Sequence, residues 1–97
     1  MKNKDIVIIK KYSNRRLYDT QTSTYITLED VRHMVRKSIE FEVRDAKTNE
    51  DLTRQILNQI IFDLELGGGQ TMLPINFLKR LISMYDNKLG EVFPYYL

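Results

Sequence analysis

A chain of 97 residues with net charge +2, 42% hydrophobic and 29% charged, suits one globular domain with a single small core. The absence of cysteine excludes disulfides, a thiol nucleophile and a thiolate metal site. No apolar run approaches the roughly 20 residues that span a bilayer, and Ile6–Ile9 followed by Lys10-Lys11 is too short and wrongly flanked for a signal-peptide core. The expected address is therefore the cytoplasm, with no membrane partner.

The net charge conceals an asymmetry. Residues 1–37 hold nine Lys/Arg against four acids, whereas residues 38–97 hold six against nine. A basic first part points to a polyanionic partner.

Taken in chain order, Ile6-Val7-Ile8-Ile9 predicts a strand buried on both faces that emerges at Lys10-Lys11-Tyr12. Ser13-Asn14 signals a turn. Arg16–Asp19 and Thr24–Thr27 alternate around the loop Thr20–Ser23, so a hairpin sets Leu17 against Ile26 and Tyr18 against Tyr25. Its other face then shows two tyrosines beside arginines. Thr27 with Asp30 forms a capping box for a helix over about Leu28–Lys37, with Leu28, Val31, Met34 and Val35 as its apolar stripe. Glu40–Arg44 alternates as a half-exposed strand, and Lys47–Glu50 is a turn. Asp51 or Thr48 caps a helix whose stripe is Leu52, Ile56, Leu57, Ile60, Ile61 and Leu64, and Gly67-Gly68-Gly69 stops it. Pro74 opens a last helix with Phe77, Leu78, Leu81, Ile82 and Tyr85 on one side, to about Asp86. The apolar stretch Val92–Leu97 stops in mid-pattern, which reads as a boundary inside a longer protein.

The expected fold class is α+β: a small N-terminal antiparallel sheet with a hairpin and a short helix, then two amphipathic helices. Residues 1–66 form the first domain and 67–97 a helical segment.

The informative cluster is Lys10 to Asp19. Lys10, Lys11, Arg15 and Arg16 can neutralise phosphates, Asn14 and the arginines offer bidentate donors to base edges, and Tyr12 and Tyr18 can bond phosphate oxygens. The bland reading is a solvated strand end with edge-guarding lysines. If both are extended, Arg15 and Arg16 face opposite sides, one reaching DNA and the other pairing with an acid such as Asp19 or supporting the turn. His33 alone builds no metal site. The glycine run lacks the following Lys and Ser/Thr of a phosphate loop. Glu40, Glu42 and Asp45 read as surface charge, and no catalytic constellation is found, so no cofactor, metal or enzymatic activity is expected. The last two helices are separated by too long a segment for a helix-turn-helix.

Ile9-Lys10-Lys11-Tyr12-Ser13-Asn14-Arg15-Arg16-Leu17-Tyr18-Asp19-Thr20 with Thr22–Leu28 resembles the N-terminal signature of the polyhydroxyalkanoate (polyhydroxybutyrate) accumulation regulators, the synthesis-repressor family. Asp45–Arg54 resembles a second block, and Leu73-Pro74 through Val92–Leu97 the accumulation-regulator segment that follows. The resemblance implies a DNA-binding repressor of storage genes, including those of phasin coat proteins, released from DNA when it binds the polyester granule. Ser38, Asn49 and Asp86 stand where that family pattern leads us to expect glycine. The amphipathic tail after the last block is absent, which ties granule binding to the longer protein.

The expected partners are thus double-stranded DNA, the granule for the longer protein, and further copies in a homodimer or larger homo-oligomer. The rivals are a protein- or granule-surface interaction module without DNA readout, marked by a large apolar patch, and RNA binding, marked by tyrosines exposed for stacking.

Overall fold

The computed structural model describes residues 5–69 and 71–86. They form β1 (Val7–Lys11), β2 (Leu17–Asp19), β3 (Thr24–Ile26), α1 (Leu28–Arg36), β4 (Phe41–Asp45), α2 (Thr53–Leu66) and α3 (Ile75–Asp86). The chain makes two compact units, one ending at Phe62 and the other beginning at Asp63.

The α+β class holds, but the sheet is mixed. Its order is β3-β2-β1-β4, with β1–β2 and β2–β3 antiparallel and β1–β4 parallel. The connection through α1 brings β4 alongside β1 in the same direction, as parallel neighbours require a crossover. The hairpin register Leu17↔Ile26 and Tyr18↔Tyr25 is the one the alternation predicts.

The strand β1 is not buried on both faces, contrary to its β-branched composition. Val7 and Ile9 are buried, Ile8 is half-buried and Ile6 is 49% exposed. The pleat sends alternate side chains to opposite sides, and α1 and α2 cover only one. On that side Val7, Ile9, Leu17 and Val43 meet Val31, Leu52, Ile56 and Ile60 in one core, with Ile26, Leu28, Met34 and Phe41 packed at its margin. Val35, predicted as part of the apolar stripe of α1, is instead 50% exposed and lies outside the core.

The local chemistry of α1 explains both of its ends. Thr27 accepts from the Asp30 N–H at 3.2 Å while Asp30 accepts from the Thr27 N–H at 2.8 Å, completing the predicted capping box. At the other end Ser38 donates to the Val35 carbonyl and Ile39 to the Met34 carbonyl, both at 3.0 Å, a Schellman arrangement with Ser38 at φ +60°. Ser38 thus occupies the left-handed position that glycine favours. Asn49, at φ +66°, does the same after β4. Asp86, by contrast, ends α3 without a positive φ, so its own backbone makes no demand for glycine.

Two polar loops share one construction. Asp19 accepts from the N–H groups of Gln21 and Thr22, its carbonyl accepts from Ser23, and Ser23 is left-handed. Asp45 accepts from the N–H groups of Lys47 and Thr48 at 2.8 and 2.9 Å, its carbonyl accepts from Asn49, and Asn49 is left-handed. Each aspartate side chain substitutes for backbone partners the turn lacks. The Thr48 and Lys47 amides hold the Asp45 carboxyl below its ordinary value, with a further pull from the charge on Lys11.

Asp51, not Thr48, supports the start of α2: its Oδ1 accepts from the Thr53 N–H at 2.9 Å and the Thr53 hydroxyl at 2.7 Å. The Thr53 hydroxyl oxygen accepts in turn from the Val43 N–H, and the Leu52 N–H donates to the Val43 carbonyl. Both backbone groups of Val43 on the outer edge of β4 are thereby satisfied. The Thr53 hydroxyl, then its amide, depress the Asp51 carboxyl. The helix ends before the glycines, of which Gly68 takes φ +84°. In the second unit the Met72 N–H donates to Glu65 Oε2 at 2.8 Å, and no residue of α3 is buried.

Two outcomes follow from these turns. Ser38→Gly relieves the left-handed strain and should raise unfolding stability by about 1 kcal/mol in urea titration, with Asn49→Gly gaining less because asparagine tolerates that region. Asp45 and Asp51 have folded pKa values below the unfolded one, so their stabilisation is present above the ordinary value of 3.8 and is lost as pH falls through the depressed values. Urea midpoints followed downward from about pH 6 should therefore fall most steeply below about pH 4, and the Asp45→Asn/Asp51→Asn double variant should flatten that slope.

Candidate nucleic-acid interface

The basic cluster lies at the β1–β2 connection. Tyr12 N–H donates to the Arg16 carbonyl at 2.9 Å and Arg15 N–H to the Tyr12 carbonyl at 2.8 Å. This is a hairpin loop of Ser13, Asn14 and Arg15 whose last residue takes the left-handed position, at φ +69°. Asn14 Oδ1 accepts from the Arg16 N–H at 3.1 Å, so part of its hydrogen-bonding capacity already shapes the turn.

Arg15 is therefore not extended, and strand alternation does not decide its direction. Arg16 does not pair with Asp19 either. That carboxylate belongs to a buried residue and serves the Gln21 and Thr22 amides. Instead the Arg16 guanidinium lies 4.0 Å from the Tyr25 ring centroid. Tyr18 meets the same ring edge-on at 5.2 Å and Tyr12 is tilted to it at 6.4 Å.

The seven predicted residues separate into three groups. Lys10 and Tyr18 are paired across β1 and β2 and, with Tyr12 and Arg16, lie on the sheet side opposite the core. Lys11 has the opposite parity; with Arg15 it rims a cavity of about 190 Å³ floored by Leu17, Leu28 and Ile56 beside Gln59. Asn14 sits at the tip. The connecting residue that sequence reasoning leaves out of the site is Tyr25, although the hairpin register that pairs it with Tyr18 is legible.

Among the described residues, Lys10, Lys11, Arg15 and Arg16 enter no ion pair, while Arg44 is held at 2.9 Å by Glu42 and Arg32 at 3.5 Å by Glu29. His33 is exposed, with Nδ1 3.2 Å from the Arg36 guanidinium. No group of three or more His, Asp or Glu side chains able to hold a metal occurs among the described residues. None of the described helices is long and apolar enough to cross a membrane.

The chain is 48% identical over 90 residues to an uncharacterised protein of Allochromatium vinosum, covering 93% of this chain and 58% of that one. It is 46% identical over 90 residues to a protein of Thiocystis violacea described as lying in the phbA 5′ region, covering 93% and 64% respectively. The chain thus spans about three-fifths of the length of these curated relatives. No solved structure matches it significantly. Residues 8–68, which include all of the sheet but Val7, together with α1, α2 and the basic turn, match the PHB/PHA accumulation regulator DNA-binding domain, and the chain belongs to that family.

Proposed function

We propose that this chain is the DNA-reading part of a cytoplasmic transcriptional repressor of polyhydroxyalkanoate storage genes, those of the phasin type among them. In the longer protein, binding to the polyester granule releases it from DNA. Residues 1–66 carry the DNA contacts and 67–97 begin a helical segment. The relative described as lying in the phbA 5′ region fits a storage-polyester context.

One observation carries the DNA contact. Arg15 occupies a left-handed backbone position that glycine would fill without strain, at the apex of the most basic turn. Such a conformation costs an arginine about 1–3 kcal/mol, a cost that a cationic contact with DNA at the hairpin tip would offset. Lys10, Lys11, Arg15 and Arg16 serve phosphates, with Tyr12 and Tyr18 as hydroxyl donors and the remaining amide capacity of Asn14 available to a base or phosphate. A two-stranded ribbon fits the major groove, so the β1–β2 hairpin is a suitable reading element.

One small protomer offers few contacts for operator-level affinity, so the proposal includes a homodimer or larger homo-oligomer. The exposed apolar residues Ile61, Phe62, Leu64 and Leu66 on α2, with those of α3, supply material for it.

Arg15→Gly separates fold from function. It should stabilise the domain by about 1 kcal/mol while weakening duplex binding about tenfold and lowering the salt slope by about one. Arg15→Ala should weaken binding equally without the gain in stability, since alanine is also strained at positive φ. Anisotropy titration across salt concentrations, with urea unfolding in parallel, reads both. An Arg15→Gly/Arg16→Ala double variant that is folded and binds duplex like the parent overturns the ribbon reading. Light scattering should give a mass above 11.6 kDa at micromolar concentration; a monomer there removes the oligomer.

A further inference from the structure

We propose that the face of the sheet opposite its core is a stacking platform for unpaired bases, so that the domain holds single-stranded DNA there in addition to duplex DNA. The inference rests on the DNA-binding reading above, because Lys10 and Arg16 supply charge for both.

The strand registers place Tyr25, Tyr18, Lys10 and Arg44 in one row across β3, β2, β1 and β4. All four have the parity opposite to the row of Ile26, Leu17, Lys11 and Asp45, in which Leu17 is buried in the core, so the core lies on the other side. Tyr12 and Arg16 extend the row at the turn. Tyr25 remains 53% exposed and Tyr12 38%, although both rings touch other aromatic groups. At the β4 end the charge of Arg44 is cancelled by Glu42, which leaves Lys10 and Arg16, beside the rings, as the cations for a phosphate backbone.

Aromatic faces and a stacked guanidinium have a specific use for nucleic acid. In a duplex the base faces are already stacked on one another, and a flat sheet reaches only edges and phosphates. In a single strand every base has a free face, and a ring beside a cation takes base and phosphate together. The Arg16–Tyr25 pair at 4.0 Å presents such a face already oriented. Charge and ring chemistry therefore favour a polyanion with unpaired bases as occupant over a protein surface.

The test is anisotropy titration of the full chain with labelled oligothymidylate and, in parallel, a mixed-sequence duplex. Tyr25→Leu should lower single-strand affinity about tenfold, at least about fivefold beyond its effect on duplex, and Tyr25→Phe should restore it because phenylalanine keeps the ring. Should Tyr25→Leu fail to fold, Tyr12→Leu at the exposed turn is read in the same way. Equal losses on both substrates would mean that Tyr25 only positions Arg16, and they overturn the platform. So does a parent that ignores oligothymidylate while binding duplex, which leaves the duplex reading standing. Oligouridylate binding about tenfold tighter than oligothymidylate overturns the assignment to DNA. A parent that binds no nucleic acid sinks both readings together.

Discussion

The pleat of β1 governs what this domain buries and what it shows. This strand is the only one in the sheet bonded to two partners of opposite sense, β2 antiparallel and β4 parallel. Fixing its register fixes theirs. Ile9, with no exposed surface, pairs with Asp19 on one side and Val43 on the other, and the core gathers around it. A slip by one residue would carry Val7 and Ile9 to the solvent side and Lys10 into the core. The same alternation that buries the isoleucine separates Lys10 from Lys11. Adjacent in sequence, they serve opposite sides of the sheet.

Left-handed residues mark where the chain turns, and their side chains say what each turn is for. Ser23, Ser38 and Asn49 are small polar residues at a loop or a helix end, and at two of these sites an aspartate four residues earlier ties down the loop. Their strain is modest and local. Arg15 is different: a long cationic side chain stands in a loop position where glycine is ordinarily used. Strain retained at a cationic tip fits the proposed contact with DNA.

Electrostatics and aromatic packing then divide the labour. Cations away from the turn, Arg44 and Arg32, are balanced by nearby carboxylates. Those of the turn enter no ion pair among the described residues, and Arg16 is oriented by a ring. A guanidinium held by Tyr25 needs little further ordering to meet a phosphate, and this reduces the entropic cost of binding. Family membership gives DNA as the partner of the domain; the turn geometry supplies a physical candidate for how it is met.

Local signals were legible in the residues themselves. The Thr27–Asp30 box, the hairpin register, the turns, the stop at the glycines and the stripe through Ile56 and Ile60 depend on neighbours within a few positions, where hydrogen-bonding and periodicity rules operate. The density of cations from Lys10 to Arg16 was equally plain, whereas the expectation of glycine at Ser38 and Asn49 came from the family resemblance. Tertiary structure decided the rest. A β-branched run does not reveal whether one or both of its faces will be covered, since cover comes from helices elsewhere in the chain; β1 has it on one side only. Nor can alternation orient a residue that leaves the strand, so Arg15 escaped it through one positive φ. Parallel pairing of β4 with β1, and the meeting of Arg16 with Tyr25, join positions that only a folded sheet brings within contact distance.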